Sequence, residues 1–176
     1  VAQMKEGVKY VDCHNEGTIT YTGGGTTSKL VKAYLAGFIA NCLPDTIINC
    51  YNTGEIVAKK PTTTSTLSGF IGMATATSTS EPYYIKGCYN TADVTSAANN
   101  AGLIVDVNSS GYSKFTMEDC YNTGDISSTA TGTVTSTYTS GLVNLYTPGS
   151  VYRNCWNKGT ILSQKPTYAS GIANNN

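Results

Sequence analysis

The sequence predicts an all-β solenoid, a parallel β-helix of stacked coils. Three observations carry this: a five-fold internal repeat, strand-like alternation within each repeat, and corner residues at matching places between the strands. The repeat is a cysteine, an aromatic or His, then Asn: Cys13-His14-Asn15, Cys50-Tyr51-Asn52, Cys88-Tyr89-Asn90, Cys120-Tyr121-Asn122 and Cys155-Trp156-Asn157. Successive cysteines lie 37, 38, 32 and 35 residues apart. Unequal spacing of one motif suits coils joined by loops of variable length better than a single layered core.

Each unit reads in order as follows. The residue three before Cys is apolar or tyrosine (Tyr10, Ile47, Ile85, Met117, Tyr152), and the next is charged in three units (Lys86, Glu118, Arg153). Inward then outward is strand alternation. The residue just before Cys is Asp12, Asn49, Gly87, Asp119 or Asn154. All of these tolerate left-handed geometry and therefore mark a corner. The stretch from Asn52 to Gly54, and its equivalents, fits a tight turn, with a looser one expected where Ala92 replaces Gly. Ile19, Ile56, Val94, Ile126 and Ile161 then open another inward-facing strand. A second signature supplies the third strand: a small residue, Gly and two mostly apolar residues, at Ala36-Gly37-Phe38-Ile39, Ser68-Gly69-Phe70-Ile71, Ala101-Gly102-Leu103-Ile104, Ser140-Gly141-Leu142-Val143 and Ser170-Gly171-Ile172-Ala173. Three short strands per unit, with Thr- and Ser-rich loops between them (62–66, 75–80 and 133–140), give about five coils in one domain over residues 1–176. The chain starts and stops inside a unit, so it reads as a piece of a longer array.

Stacking in register gives the motif a physical purpose. An inward Asn at one place in every coil donates its amide to one neighbour and accepts from the other, so Asn15, Asn52, Asn90, Asn122 and Asn157 are expected to form a ladder. Cys13, Cys50, Cys88, Cys120 and Cys155 form a parallel column. They offer no CxxC pair and cannot all be bridged, so free thiols packed as small apolar groups are expected rather than a metal site. Cys42 lies outside the column, in the continuation of the first Gly strand.

Composition excludes several functions. With 11 basic and 11 acidic residues the net charge is zero, and charged residues are 12% of the chain. No basic stripe marks a nucleic-acid surface, and no apolar run is long enough to span a membrane. A surface of Thr, Ser, Asn, Gly and Tyr has an extracellular character.

Together the residues resemble a known family. The alternation of a Gly-Leu/Phe-Ile/Val strand with Asn/Asp-Cys-Tyr-Asn-Thr-Gly-Asp/Glu-Ile is similar to the GLUG-type repeats of large bacterial cell-surface proteins such as adhesins. The string is closest at Cys50 to Gly54 and Cys120 to Gly124, and departs at outward positions in Cys13 to Gly17 and Cys155 to Gly159. The resemblance implies a right-handed parallel β-helix displayed outside a bacterial cell, within a larger surface protein, and it implies no activity or cofactor.

Two other readings compete with a structural or adhesive module. The outward column Tyr51, Tyr89, Tyr121 and Trp156 is the candidate surface for a host or cell-surface glycan or protein, the bland alternative being rings that pack on one another. Glu55, Asp93 and Asp125 share one repeat position and are a weak candidate for Ca²⁺. A polysaccharide-degrading enzyme needs a carboxylate pair in a cleft, one with a raised pKa. The single His14 belongs to the aromatic column, and no nucleophile motif is present, so no catalytic residue is expected.

Overall fold

The structure is a computed structural model and describes residues 8–22, 34–42, 46–58, 66–74, 83–97, 99–107, 114–129, 137–144, 148–164 and 168–174. Among these residues there is no helix, and every strand pairing is parallel. Strands from successive units stack side by side, which makes a β-solenoid.

The strand before each cysteine builds one sheet of five: Lys9–Val11, Thr46–Ile48, Tyr83–Lys86, Phe115–Glu118 and Val151–Arg153. The chain then turns through a left-handed residue, with φ of 54° at Asp12, 53° at Asn49, 64° at Gly87, 55° at Asp119 and 51° at Asn154. That is the corner the residue types predict, because Asn, Asp and Gly bear positive φ at least cost. The corner side chains also pair between coils, Asn49 Nδ2 donating to Asp12 Oδ1 at 3.2 Å and Asn154 Nδ2 to Asp119 Oδ1 at 3.1 Å.

The count of strands per unit differs from the expected three. The aromatic-Asn pair is itself a two-residue strand, and His14–Asn15, Tyr51–Asn52, Tyr89–Asn90, Tyr121–Asn122 and Trp156–Asn157 form a second five-stranded sheet. The Gly signature is a corner and not a strand. It joins Tyr34–Ala36 to Ile39–Cys42, and Thr66–Ser68 to Ile71–Ala74, so each unit feeds two sheets there. Five sheets result. Two-residue strands carry too little alternation to be read from sequence, which is why a turn is the natural expectation. Thr66 and the stretch Tyr138–Ser140, expected in loops, belong to strands of the sheet that also holds Tyr34–Ala36, while 62–65, 75–80 and 133–136 lie outside the described residues. The bend after Asn is the same in every unit: Asn90 Nδ2 donates to Ala92 O at 2.7 Å as Asn122 Nδ2 does to Gly124 O, so Ala92 does not loosen it.

Inside the stack, two apolar clusters form. The larger joins the pre-cysteine strand, the Cys column and the residues after Gly: Ile47, Ile85, Met117, Cys88, Phe70, Leu103 and Ile104 all lie in it. The smaller holds Leu35, Ile56, Leu67, Val94 and Ile126. Burial of this much aliphatic surface is the main stabilising term, at about 25 cal/mol per Å².

Candidate functional site

The Cys-aromatic-Asn strands hold most of the residues to which chemistry was assigned, and the structure places each in a column. Asn15 Nδ2 donates to Asn52 Oδ1 at 2.8 Å, Asn52 to Asn90 at 2.9 Å, Asn90 to Asn122 at 2.8 Å and Asn122 to Asn157 at 2.8 Å. The second amide hydrogen of each is used within its own unit, as Asn52 Nδ2 to Gly54 O at 2.9 Å. Both donors of an interior Asn are therefore satisfied, and Asn52, Asn90 and Asn122 are fully buried. Such burial is tolerable only with that complement of partners.

The two sequence signatures meet at this ladder. A methyl group on Gly69 would overlap the amide carbon of Asn90 and the carbonyl oxygen of Gly102, and one on Gly37 would overlap Asn52 and Gly69 in the same way. Asn reaches across the interior to the Gly corner, and the gap left there admits only a hydrogen. The Gly and the Asn recur together because each shapes the space the other occupies.

The thiols line up beside the ladder. Cys13, Cys50, Cys88, Cys120 and Cys155 are all free. Each donates to the carbonyl two residues back, Cys50 Sγ to Ile48 O at 3.2 Å and Cys120 Sγ to Glu118 O at 3.1 Å. Hydrogen bonding to Cys120 and Cys50, with burial, pushes Cys88 above the ordinary thiol range, and hydrogen bonding to Cys120, with burial, does the same to Cys155. Thiol hydrogen bonds from the neighbours pull Cys50 and Cys120 the other way. Cys50, Cys88, Cys120 and Cys155 shift one another through these bonds, and none of the four is an isolated nucleophile. Cys42 ends the strand Ile39–Cys42 and pairs with Ala74.

The outward aromatic column is a continuous stack of rings. Centroids lie 4.8 Å apart for His14 and Tyr51, 4.7 Å for Tyr51 and Tyr89, 4.8 Å for Tyr89 and Tyr121 and 4.5 Å for Tyr121 and Trp156, with planes within 5° of parallel. Each interior ring has both faces covered by its neighbours, so solvent meets edges and hydroxyls. A sugar docks on a ring face, and among the described residues the interior rings offer none. Among the described residues the rings pack on one another, the bland alternative to a glycan platform.

Nor do Glu55, Asp93 and Asp125 come together as a Ca²⁺ site. Among the described residues no three His, Cys, Asp or Glu side chains are grouped to hold a metal ion. Two of the carboxylates accept from the main chain of the next unit, Asp93 Oδ1 from Asp125 N at 2.8 Å and Asp125 Oδ1 from Thr160 N at 2.7 Å. They tie coil to coil.

The most interacting surface acid was not singled out by sequence. Glu118 accepts from Arg153 Nη1 at 2.8 Å and from Tyr84 Oη at 3.2 Å, with Lys86 Nζ 3.6 Å away. Arg153 first, then Tyr84 and Lys86, hold its carboxyl below the usual range. A general acid needs the opposite shift. Sequence reasoning also missed a second buried amide pair, Asn174 Nδ2 donating to Asn144 Oδ1 at 3.1 Å, with Asn144 Nδ2 donating to Asn100 O at 2.7 Å. Asn stands three residues after the motif glycine in the last two units only, too short a run to register as a repeat.

No family model, curated protein or solved structure matches the chain. Among the described residues no helix is long and apolar enough to cross a membrane.

Proposed function

We propose that the chain is a non-catalytic structural or adhesive module of a bacterial surface or secreted protein, a right-handed stack of about five coils similar to GLUG-type repeats. One observation carries the reading: the residues that look like chemistry, the buried thiols of Cys88 and Cys120, the amides and the Asp93 and Asp125 carboxylates, are engaged in contacts between coils. What remains for function is a polar surface on a chain of zero net charge. Such a surface suits spacing and presentation within a larger extracellular protein, with host or cell-surface glycans or proteins as its partners. The covered ring faces of the aromatic column weigh against a defined sugar site, and the low-lying carboxyl of Glu118 weighs against glycoside hydrolysis.

The test joins two measurements. Beads coated with the protein are scored for retention on mucin and matrix proteins under flow, and the soluble protein is screened for release of reducing ends from a panel of polysaccharides. Retention above that of uncoated beads without turnover is the expected result. Saccharide release that tracks the purified protein would overturn the reading.

A further inference from the structure

One inward column changes character along the stack. At equivalent places of the strand before the glycine corner stand Leu35, Leu67, Asn100 and Thr139, paired in register from one unit to the next. All four are buried. The two leucines belong to the smaller apolar cluster, so an apolar position of the first two units is taken by a polar side chain in the third and again in the fourth.

The third unit satisfies its polar residue directly. Ser96, at the end of the neighbouring strand Val94–Ser96, donates through Oγ to Asn100 Oδ1 at 2.5 Å, and Asn100 Nδ2 donates to Ser127 O at 2.7 Å. Both polar atoms of the amide are used. In the fourth unit Ser128 stacks in register on Ser96 and Thr139 on Asn100, so the two side chains enter the same space one coil further on. Their reach is shorter. A threonine hydroxyl is bonded to Cβ itself, whereas an asparagine oxygen sits one atom further out, and the length that closes Asn100 on Ser96 is missing between Thr139 and Ser128. Both residues are fully buried, and among the described residues neither Ser128 Oγ nor Thr139 Oγ1 has a hydrogen-bond partner. Buried hydroxyls demand partners, and where the protein supplies none an internal water does so.

We propose that the fourth unit holds one ordered water at the place of the asparagine amide, bridging Ser128 Oγ and Thr139 Oγ1. Each hydroxyl can donate and accept, so the water completes across this corner the contact that Ser96 and Asn100 make unaided. The chemistry of the lining selects water over an ion. Its polar groups are neutral hydroxyls, Ile126 of the apolar cluster lies on the same strand as Ser128, and no charged side chain is buried among the described residues.

Magnetic relaxation dispersion of the water oxygen tests the assignment, because it counts waters held longer than the protein takes to tumble and is blind to exchanging hydroxyl protons. Thr139→Asn supplies in the fourth unit the amide that the third already accommodates. It is expected to lower the dispersion amplitude by one water. Ser128→Ala combined with Thr139→Val removes both hydroxyls and is expected to give the same loss, whereas Thr139→Ser keeps the hydroxyl and the full amplitude. Far-ultraviolet circular dichroism establishes that each variant is folded, and Thr139→Asn carries the test if the double variant is not. An amplitude that Thr139→Asn leaves unchanged overturns the proposal. So does a loss on Thr139→Ser as large as the loss on Thr139→Asn, since the hydroxyl would then not be what holds the water.

Discussion

Replacing Asn90 by Ala is the sharpest probe of what holds the stack together. Asn90 is fully buried, donates to Ala92 O at 2.7 Å and to Asn122 Oδ1 at 2.8 Å, and accepts from Asn52 Nδ2 at 2.9 Å. The substitution strands three polar groups in an interior closed to water by the Gly69 corner. At about 1–3 kcal/mol for each buried group left without a partner, and with incomplete additivity, the loss is roughly 3–6 kcal/mol. Asn15→Ala removes the same side chain from the first unit, where Asn15 is only half-buried and Gly17 is exposed. Water replaces the lost partners there, and the expected loss is about 1 kcal/mol. Urea unfolding followed by far-ultraviolet circular dichroism measures both, the comparison of midpoints being safer than extrapolated free energies in a repeat array. Equal shifts of the midpoint for the two variants would refute the ladder as a cooperative, buried device.

Four further outcomes follow from the same geometry. Gly69→Ala forces a methyl into the Asn90 amide and the Gly102 carbonyl and is expected to destabilise by at least 1–3 kcal/mol, roughly the range for overpacking, whereas Gly171→Ala, with nothing within 4 Å, is near neutral; thermal melts compare them. Tyr89→Ala deletes a ring stacked on both faces and costs about 1–3 kcal/mol, twice the value of one aromatic pair, while Tyr121→Ala uncovers Trp156 and shifts its fluorescence to the red. Cys50, Cys88 and Cys120 are fully buried and are expected to react with a thiol reagent only after denaturation. Glu118 has a folded-state pKa below its unfolded value, so its contribution is present above the unfolded pKa and lost as pH falls through the folded one. Melting temperatures recorded from neutral to strongly acidic pH are expected to fall less steeply for Glu118→Gln than for the natural chain.

How far the fold could be read in advance depended on what each residue type can do in only one way. Asp12, Asn49, Gly87, Asp119 and Asn154 share little but tolerance of positive φ, and that shared property placed the corner. Alternation placed the strand before it, because Ile85 and Met117 point in while Lys86 and Glu118 point out. The two-residue strands carried no period to read. The Gly signature was ambiguous for a different reason: a small residue and Gly between apolar residues describes a strand as well as a corner, and what distinguishes them is the Asn across the interior, invisible until the coils are closed. The acids and the rings carry a chemical reading beside a structural one because a repeat position looks the same in sequence whether its occupants face a ligand or each other.

That ambiguity has a physical root. In a stack of coils, an interior side chain has the equivalent residues of two neighbouring units about 4.8 Å away, the separation of hydrogen-bonded strands. Any group that interacts well with its own kind is stabilised there: an amide donates to an amide, a ring stacks on a ring, a carboxylate caps the next unit's amide nitrogen. The same groups bind ligands elsewhere because they are good partners, so recurrence in register selects for residues that resemble an active site while satisfying one another. The interior of the ladder is closed chemically as well as sterically, Asn90 meeting an amide on either side and the glycine corner across the interior.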